Sequence, residues 1–295
     1  MRLVPVLPFG LAVLLGSLLL AAPLLAVAIP FPEGRLFRVE RPDIPVSYVF
    51  GTMHADDPEV VSLPEAVATA FRDARTLVME VVPDADTILR SMLTMAFTDG
   101  TTLEEAVGAD LYARTVEAAE RVGMIEAAIR DLKPWAIATM LSVPPAASGE
   151  FLDLRLYRQA VEDGKPVDGL ETIEEQLGVF DNLSAEAQAR FLEHTLSELP
   201  GVDDLYAELR DAYLKGDLAR LQRLNDTHLA GTDPALKGYL DEELVECRNA
   251  RMAERLEPLL WEGGVFVAVG ALHLPGLAGL LHLLEDRGWS VERAW

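Results

Sequence analysis

Two stretches at opposite ends of the chain decide the fold: Val46-Ser-Tyr-Val-Phe-Gly-Thr-Met-His54 and Gly264-Val-Phe-Val-Ala-Val-Gly-Ala-Leu-His273. Each is a β-branched, aromatic run of strand length that enters a glycine, and each places a histidine three residues after that glycine. The segments downstream of the two histidines are also alike. After His54, Ser62-Leu-Pro-Glu65 reads as a helix start and the helix runs to about Arg75. Thr76-Leu-Val-Met-Glu-Val-Val82, bounded by Pro83, is then a buried strand carrying Glu80. After His273 come a helix over Leu277–Glu285 and a last strand over Ser290–Arg293. Two copies of strand, Gly-x-x-His, helix, strand predict an α/β (α+β) fold with a pseudo-symmetric central sheet. Both histidine turns then lie at one sheet edge, beyond the carboxyl ends of the strands, where open α/β sheets bind ligands.

Between the copies, at about 85–260, the pattern is helical. Thr102-Leu-Glu-Glu105 is a capping box, Asp110–Val122 is helical in period and stops at Gly123, and Pro134 starts a helix holding Trp135. Asp153–Asp163 is a helix ended by Gly164, followed by a short strand at Val167. Ser184 caps the next helix, and breaks fall at Pro200-Gly201, Gly216 and Gly231–Pro234. Ahead of the first copy, Leu36–Val39 alternates as a short strand.

Composition narrows the partners. The chain has 295 residues, half of them apolar, and a net charge of -23. Such a surface repels nucleic acid, whose binding rests on Lys and Arg contacts to phosphate, and it disfavours anionic membranes. It suits neutral or cationic substrates and divalent cations. Cys247 is the single cysteine, so neither an intramolecular disulfide nor a cysteine-rich zinc site is available. Arg2 is the only charge before Glu33, and the apolar stretch between them includes the small-x-small triplet Ala26-Val-Ala28. Residues 1–28 read as a secretory signal cut after Ala28 or, uncut, as a membrane anchor, the only membrane contact expected. Either reading puts the remainder outside the cytoplasmic membrane, periplasmic or secreted.

Few side chains have the chemistry for a site. His54 and His273 are duplicated in the same strand–turn–helix setting. Glu80 interrupts an apolar strand, where an unpaired carboxylate carries a large desolvation cost and calls for a metal, a His⁺ or an Arg. Glu171 follows the Val167 strand in a turn; a helix N-terminal carboxylate favoured by the dipole is the alternative role. Asp153 and Asp168 are weaker candidates of the same kind. Two His and one or two Glu suit Zn²⁺, Mn²⁺ or Co²⁺. Arg248 and Asn249 lie on a charged helix, where Arg can pair with a buried Glu or stabilise an oxyanion. His194, His228 and His282 read as ordinary helix histidines. The sequence contains no His-Glu-x-x-His, no Gly-x-Ser-x-Gly and no phosphate or dinucleotide loop.

An ordered set of motifs carries a family resemblance: Phe50-Gly-Thr-Met-His54, Glu80, Leu132-Lys-Pro-Trp135, Asp153 in Phe-Leu-Asp-Leu, and Gly164-Lys-Pro-Val167 leading to Leu170-Glu-Thr-Ile-Glu-Glu-Gln-Leu177. Gly216-Asp217, Arg248-Asn249, Phe266-Val-Ala-Val-Gly-Ala-Leu-His-Leu-Pro-Gly276 and Gly288-Trp-Ser-Val291 complete it. Over residues 36–295 the chain resembles the TraB/GumN family, which is related to the Tiki metalloproteases. The resemblance implies a fold like that of erythromycin esterase and the haem-binding ChaN proteins, and metal-dependent peptidase activity. It implies His54 and His273 as metal ligands or bases, Glu80 and Glu171 as acidic ligands or the water activator, and Arg248 and Asn249 as residues that orient ligands or substrate. Leu272 departs from the pattern, standing in Gly-Ala-Leu-His where Gly-Ala-Gly-His is more usual.

These readings converge on an exported metal-dependent hydrolase, a peptidase or amidase acting on a peptide or small-molecule substrate. A metal-free hydrolase with His as general base, and a non-enzymatic haem- or metal-binding protein, are the competing readings.

Overall fold

Leu36–Glu40 (β1) and Ser47–Thr52 (β2) open the chain as an antiparallel pair in a computed structural model, which describes residues 29–145 and 148–295. The expected signal or anchor, residues 1–28, lies outside the described residues. Thr76–Met79 (β3), Val167–Gly169 (β4), Val265–Gly270 (β5) and Ser290–Arg293 (β6) complete one six-stranded sheet in the order β4-β3-β5-β2-β1-β6. β4, β3, β5 and β2 run parallel, and β1 is antiparallel to both of its neighbours. The two long apolar strands that define the sequence repeat, β2 and β5, are therefore direct neighbours at the centre. Their register pairs Gly51 with Val269 and Thr52 with Gly270, so both histidine turns leave the same carboxyl edge on adjacent strands. Five of the six β5 residues are buried, as expected for a parallel strand covered on both faces.

The helices are Pro58–Val61 (α1), Glu65–Asp73 (α2), Ala85–Met95 (α3), Leu103–Val107 (α4), Ala109–Arg121 (α5), Glu126–Ile129 (α6), Pro134–Leu141 (α7) and Leu152–Glu162 (α8). They continue as Ile173–Asp181 (α9), Ala185–Glu198 (α10), Val202–Lys215 (α11), Leu218–Leu229 (α12), Pro234–Asp241 (α13), Cys247–Glu262 (α14) and Leu280–Asp286 (α15). One buried cluster joins the strands to these helices, with Val78, Phe266 and Val267 meeting Phe71, Leu156, Leu256 and Leu281. A second, built from Leu103, Ala119, Ile129, Ile137 and Leu192, gives the helical block its own core away from the sheet.

Most local signals form the elements they predict. Thr102 and Glu105 form a reciprocal capping box, Ser184 caps α10, and Pro134 occupies the first turn of α7. The first helix differs: Asp57 is the cap, accepting from the N–H groups of Glu59 and Val60, and Ser62 ends α1 instead of starting α2. Asp57-Pro58 is itself a cap followed by a first-turn proline, so the stronger signal lies five residues earlier. β3 also stops at Met79, which sets Glu80 just past the strand end and not within it.

The two motif glycines serve close approach, not a left-handed turn; neither has positive φ. A Cβ on Gly51 would sit 2.7 Å from Leu274 and 3.2 Å from Ala271, so this glycine makes room for the second histidine turn. A Cβ on Gly270 would lie 3.2 Å from Glu80 Oε1, so that one makes room for the carboxylate. Leu272 sits in a short 3₁₀ turn, Ala271–His273, without positive φ, and the turn accepts a side chain there.

Candidate active site

At the carboxyl ends of β2, β3 and β5 lies a cleft of about 530 Å³, lined by Thr52, His54, Glu80, Asp153, Gln176 and Gly270 among others. That volume suits a small molecule or a short peptide segment. Its two walls differ in kind.

The inner wall is a buried network around Glu80. Glu80 Oε1 accepts the Gly270 N–H at 2.6 Å, while Oε2 accepts from Gln176 Nε2 at 2.9 Å and from Arg248 Nη2 at 2.6 Å. Arg248 also donates through Nε to Glu171 Oε2 at 2.8 Å and through Nη1 to the Leu244 carbonyl. One guanidinium thus ties two carboxylates from strand ends 91 residues apart in sequence to α14, and the backbone repeats the tie: Glu171 N–H donates to the Glu80 carbonyl at 2.7 Å. Burial pushes the Glu80 carboxyl up, but His273 when protonated, Arg248 and the Gly270 N–H pull harder, and the net shift is below its ordinary value. Burial pushes the Arg248 guanidinium down, and the two glutamates more than reverse this.

His273 is buried behind that wall and does not itself line the cleft. Asn249 Nδ2 donates to the Ala278 carbonyl at 2.8 Å, which turns Asn249 Oδ1 toward His273 Nδ1 at 2.7 Å. An amide oxygen only accepts, so Nδ1 carries the proton and Nε2 presents a lone pair. Burial, aided by Arg248 and opposed by Glu80, holds the His273 pKa at about 4, so the ring is neutral at neutral pH. With His273 neutral, Arg248 and the Gly270 N–H are the partners that keep Glu80 ionised there. Two acceptors then face each other: His273 Nε2 and Glu80 Oε1 stand 3.7 Å apart, too far for a direct hydrogen bond and with no proton to share.

The outer wall is open. The His54 side chain is 74% exposed, stacks on Phe151 with ring centroids 4.3 Å apart, and has Nδ1 3.5 Å from Asp153 Oδ2. Thr52 Oγ1 fixes that carboxylate by donating to Asp153 Oδ1 at 2.8 Å. An imidazole backed by an oriented carboxylate, with its far edge in solvent, has the arrangement of a general base.

Of the expected site residues, Glu80 lines the cleft with Arg248 and Glu171 bonded behind it, the His273–Asn249 pair lies buried beside that network, and His54 with Asp153 lines the facing wall. Glu171 sits behind Arg248 with a fully buried side chain. Asp168 lies on edge strand β4, exposed and outside the cleft lining. As a metal centre the donors fit at two positions: Glu80 Oε1 and His273 Nε2 offer lone pairs to one gap, and Asn249 holds the ligand-type tautomer from behind. Among the described residues, no group of three or more His, Cys, Asp or Glu is disposed to hold an ion. Cys247 is no rival nucleophile, since burial and then Glu243 and Glu242 raise its thiol pKa. Thr52 and Gln176 join the site although the sequence does not point to them. Thr52 lies inside the first Gly-x-x-His, and Gln176 inside the Leu170–Leu177 motif, but neither sequence position by itself says which way the side chain points.

Among curated proteins and among solved structures, the chain has no match. A family model does match, over residues 35–293, nearly the whole of the chain. That span takes in both histidine turns, Glu80, Glu171 and the Arg248-Asn249 pair, and with this match the chain belongs to the TraB/PrgY/gumN family.

Proposed function

We propose that the chain is an exported amide-bond hydrolase that cleaves a peptide or a small amide in the cleft between its two histidine turns, with a divalent cation as cofactor. The observation behind this reading is the pair of facing acceptors, Glu80 Oε1 and His273 Nε2, 3.7 Å apart, with Glu80 on the cleft lining and His273 buried behind it. Two lone pairs turned on one gap call for a donor or a cation. Glu80 and His273 would hold the ion, and His54 faces the cleft from the opposite wall. When bound, Zn²⁺, Mn²⁺ or Co²⁺ supplies Lewis acidity and lowers the pKa of water toward ~7.

The chain's own residues have separable tasks. Arg248, Gln176 and the Gly270 N–H hold Glu80 ionised and in one orientation. Asn249 keeps the His273 proton on Nδ1, so that Nε2 remains a ligand or acceptor. His54, backed by Asp153, takes a proton from the attacking water and returns it to the leaving amine. Arg248 is committed to carboxylates and is not free to stabilise an oxyanion.

A second reading dispenses with the ion and leaves water activation to the His54–Asp153 pair alone. The exposed imidazole edge with a carboxylate behind it favours this version. One experiment separates the two: metal content of protein purified without chelators, and peptide cleavage by wild type, chelated wild type, His54→Ala and His273→Ala. Bound metal near one equivalent, with cleavage lost on chelation and in both variants, is the expected result. Cleavage that survives chelation but not His54→Ala selects the metal-free version. Cleavage untouched by either substitution sinks both. A Soret band on haem titration, with no turnover of any peptide, would make the chain a binding protein.

A further inference from the structure

In a chain with 48 acidic and 25 basic residues, a buried arginine without a carboxylate is an anomaly. Arg35, just ahead of β1, is one: it is 4% exposed, its Nε has no hydrogen-bond partner, and among the described residues no carboxylate pairs with it. Its guanidinium carbon lies over two rings, 4.6 Å from the Tyr213 centroid and 4.2 Å from the Trp295 centroid. Neither ring gives the cation a counter-charge, and Tyr213 offers it only a neutral hydroxyl. Cation–π contacts recover less than the cost of burying an unpaired charge. Burial accordingly lowers the Arg35 pKa, with Tyr213 only partly offsetting it.

Arg35 lines a pocket of about 270 Å³ with Lys215, Arg293, Leu214 and Trp295. Lys215 and Arg293 each have an acidic partner, Asp211 and Glu33, so Arg35 is the cation of this pocket that lacks one. Two glycines shape the floor. Gly34 and Gly216 both have positive φ, and the Gly34 N–H donates to the Gly216 carbonyl at 2.8 Å. A Cβ on Gly216 would come within 3.4 Å of the Gly34 backbone.

The geometry points to an oxyanion-binding site: the Arg35 pocket takes a small carboxylate or phosphate, with the Arg35 guanidinium as the unpaired cation, Lys215 and Arg293 as flanking charges, and Trp295 and Leu214 as an apolar side. Guanidinium and oxyanion match in planar, two-point geometry, which a lone ammonium does not offer. The pocket lies at the same carboxyl edge as the cleft, one strand beyond the His54 turn. The Arg35 carbonyl accepts the Gly51 N–H at 2.8 Å, and Tyr213 Oη donates to the Gly51 carbonyl at 3.0 Å, so both backbone groups of the first motif glycine are held by Arg35 and the tyrosine beneath its guanidinium.

The test is titration of the full chain with acetate and with inorganic phosphate at constant ionic strength, followed by tryptophan emission, with Trp295 as the internal reporter, and by calorimetry. Saturable binding with Kd on the order of 1 mM or tighter is expected for at least one of the two. Arg35→Met is expected to weaken it by at least about tenfold, and Lys215→Met, an exposed change that leaves the fold intact, by about threefold. Saturation by acetate alone identifies a planar carboxylate site and by phosphate alone a tetrahedral one; either supports the assignment. Failure of both anions to saturate the wild-type chain overturns it, whatever the variants do. So does affinity unchanged in Lys215→Met together with Arg35→Met.

Discussion

The two Gly-x-x-His turns share a motif, adjacent parallel strands and one sheet edge, yet their histidines occupy opposite environments. The His54 side chain is 74% exposed and leans on an aromatic ring and a carboxylate. The His273 side chain is 8% exposed, neutral, and locked by Asn249. The difference arises next door. Gly51 clears space for Ala271 and Leu274, so the second turn folds down over the first strand. Nothing among the described residues folds down over His54 in return, and its turn stays at the cleft mouth. A repeated motif therefore supplies one open, solvent-facing base and one fixed, buried acceptor. The buried side should govern stability and the open side turnover, and substitutions on each side can break that division.

The largest effect belongs to the open wall. His54→Gln is expected to lower peptide turnover by about 10²–10⁴-fold while leaving unfolding free energy within ~0.5 kcal/mol. His273→Leu should also end turnover but cost about 1–3 kcal/mol as well, because the Asn249 oxygen is left buried and unpaired. Urea unfolding beside a cleavage assay checks both. Equal stability losses at the two histidines would erase the contrast between the walls.

Next is the guanidinium that ties the inner wall together. Arg248→Met leaves Glu80 and Glu171 side by side without their shared cation. Breaking a buried pair this way costs about 3–5 kcal/mol, which should appear as a large drop in the urea midpoint. A loss under ~1 kcal/mol would mean that the two carboxylates find other partners or protons.

How much of this is visible in the sequence divides along the same line. The strands of the repeat, both histidines, Glu80, Glu171 and Arg248-Asn249 are legible because each breaks a local pattern: a carboxylate among valines, a histidine at a strand end. That β2 and β5 pair directly also follows from two apolar runs needing cover on both faces. What cannot be read is depth and direction. Nothing in Gly-Thr-Met-His against Gly-Ala-Leu-His says which ring is exposed, since that is set by Leu274 meeting Gly51 over more than 200 residues of chain. Gln176 reads as one more polar residue on an amphipathic helix until α9 brings it to Glu80, 96 positions earlier. Ser62 is a good cap in isolation, but it ends the turn that Asp57-Pro58 begins, and α2 starts at Glu65 without a side-chain cap.

A smaller effect tests whether the open wall is itself ordered. Thr52→Val removes the hydroxyl that donates to Asp153 Oδ1 at 2.8 Å and keeps the β-branched shape. Turnover should fall about tenfold with stability nearly unchanged, since the hydroxyl acts only through Asp153 on His54. A matching loss in Asp153→Asn, with no further loss in the double variant, would place the two on one line of action. Independent, additive losses would remove Thr52 from that role.

The smallest effect lies where the inner wall reaches solvent. Glu175 caps α9 by accepting the Thr172 N–H and pairs with Arg255 through two contacts of 2.6 and 2.7 Å; Arg255 in turn donates to the Leu170 carbonyl beside Glu171. Arg255 is the main cause, against some burial, that lowers the Glu175 pKa from 4.5 to about 2. The folded carboxyl therefore binds its proton less readily than the unfolded one, so its contribution is complete above the unfolded value and fades as pH falls through the folded one. The side chain is 29% exposed, so solvent screening limits that contribution to about 1 kcal/mol. Glu175→Gln should be less stable than wild type at pH 7, and the two unfolding curves should converge between the 4.5 and about 2 that bracket the shift. A gap that stays constant across that window would trace the loss to the cap alone. A gap that closes with acid would show that the pairing at the rim is electrostatic, a weaker, solvated continuation of the Arg248 tie beneath it.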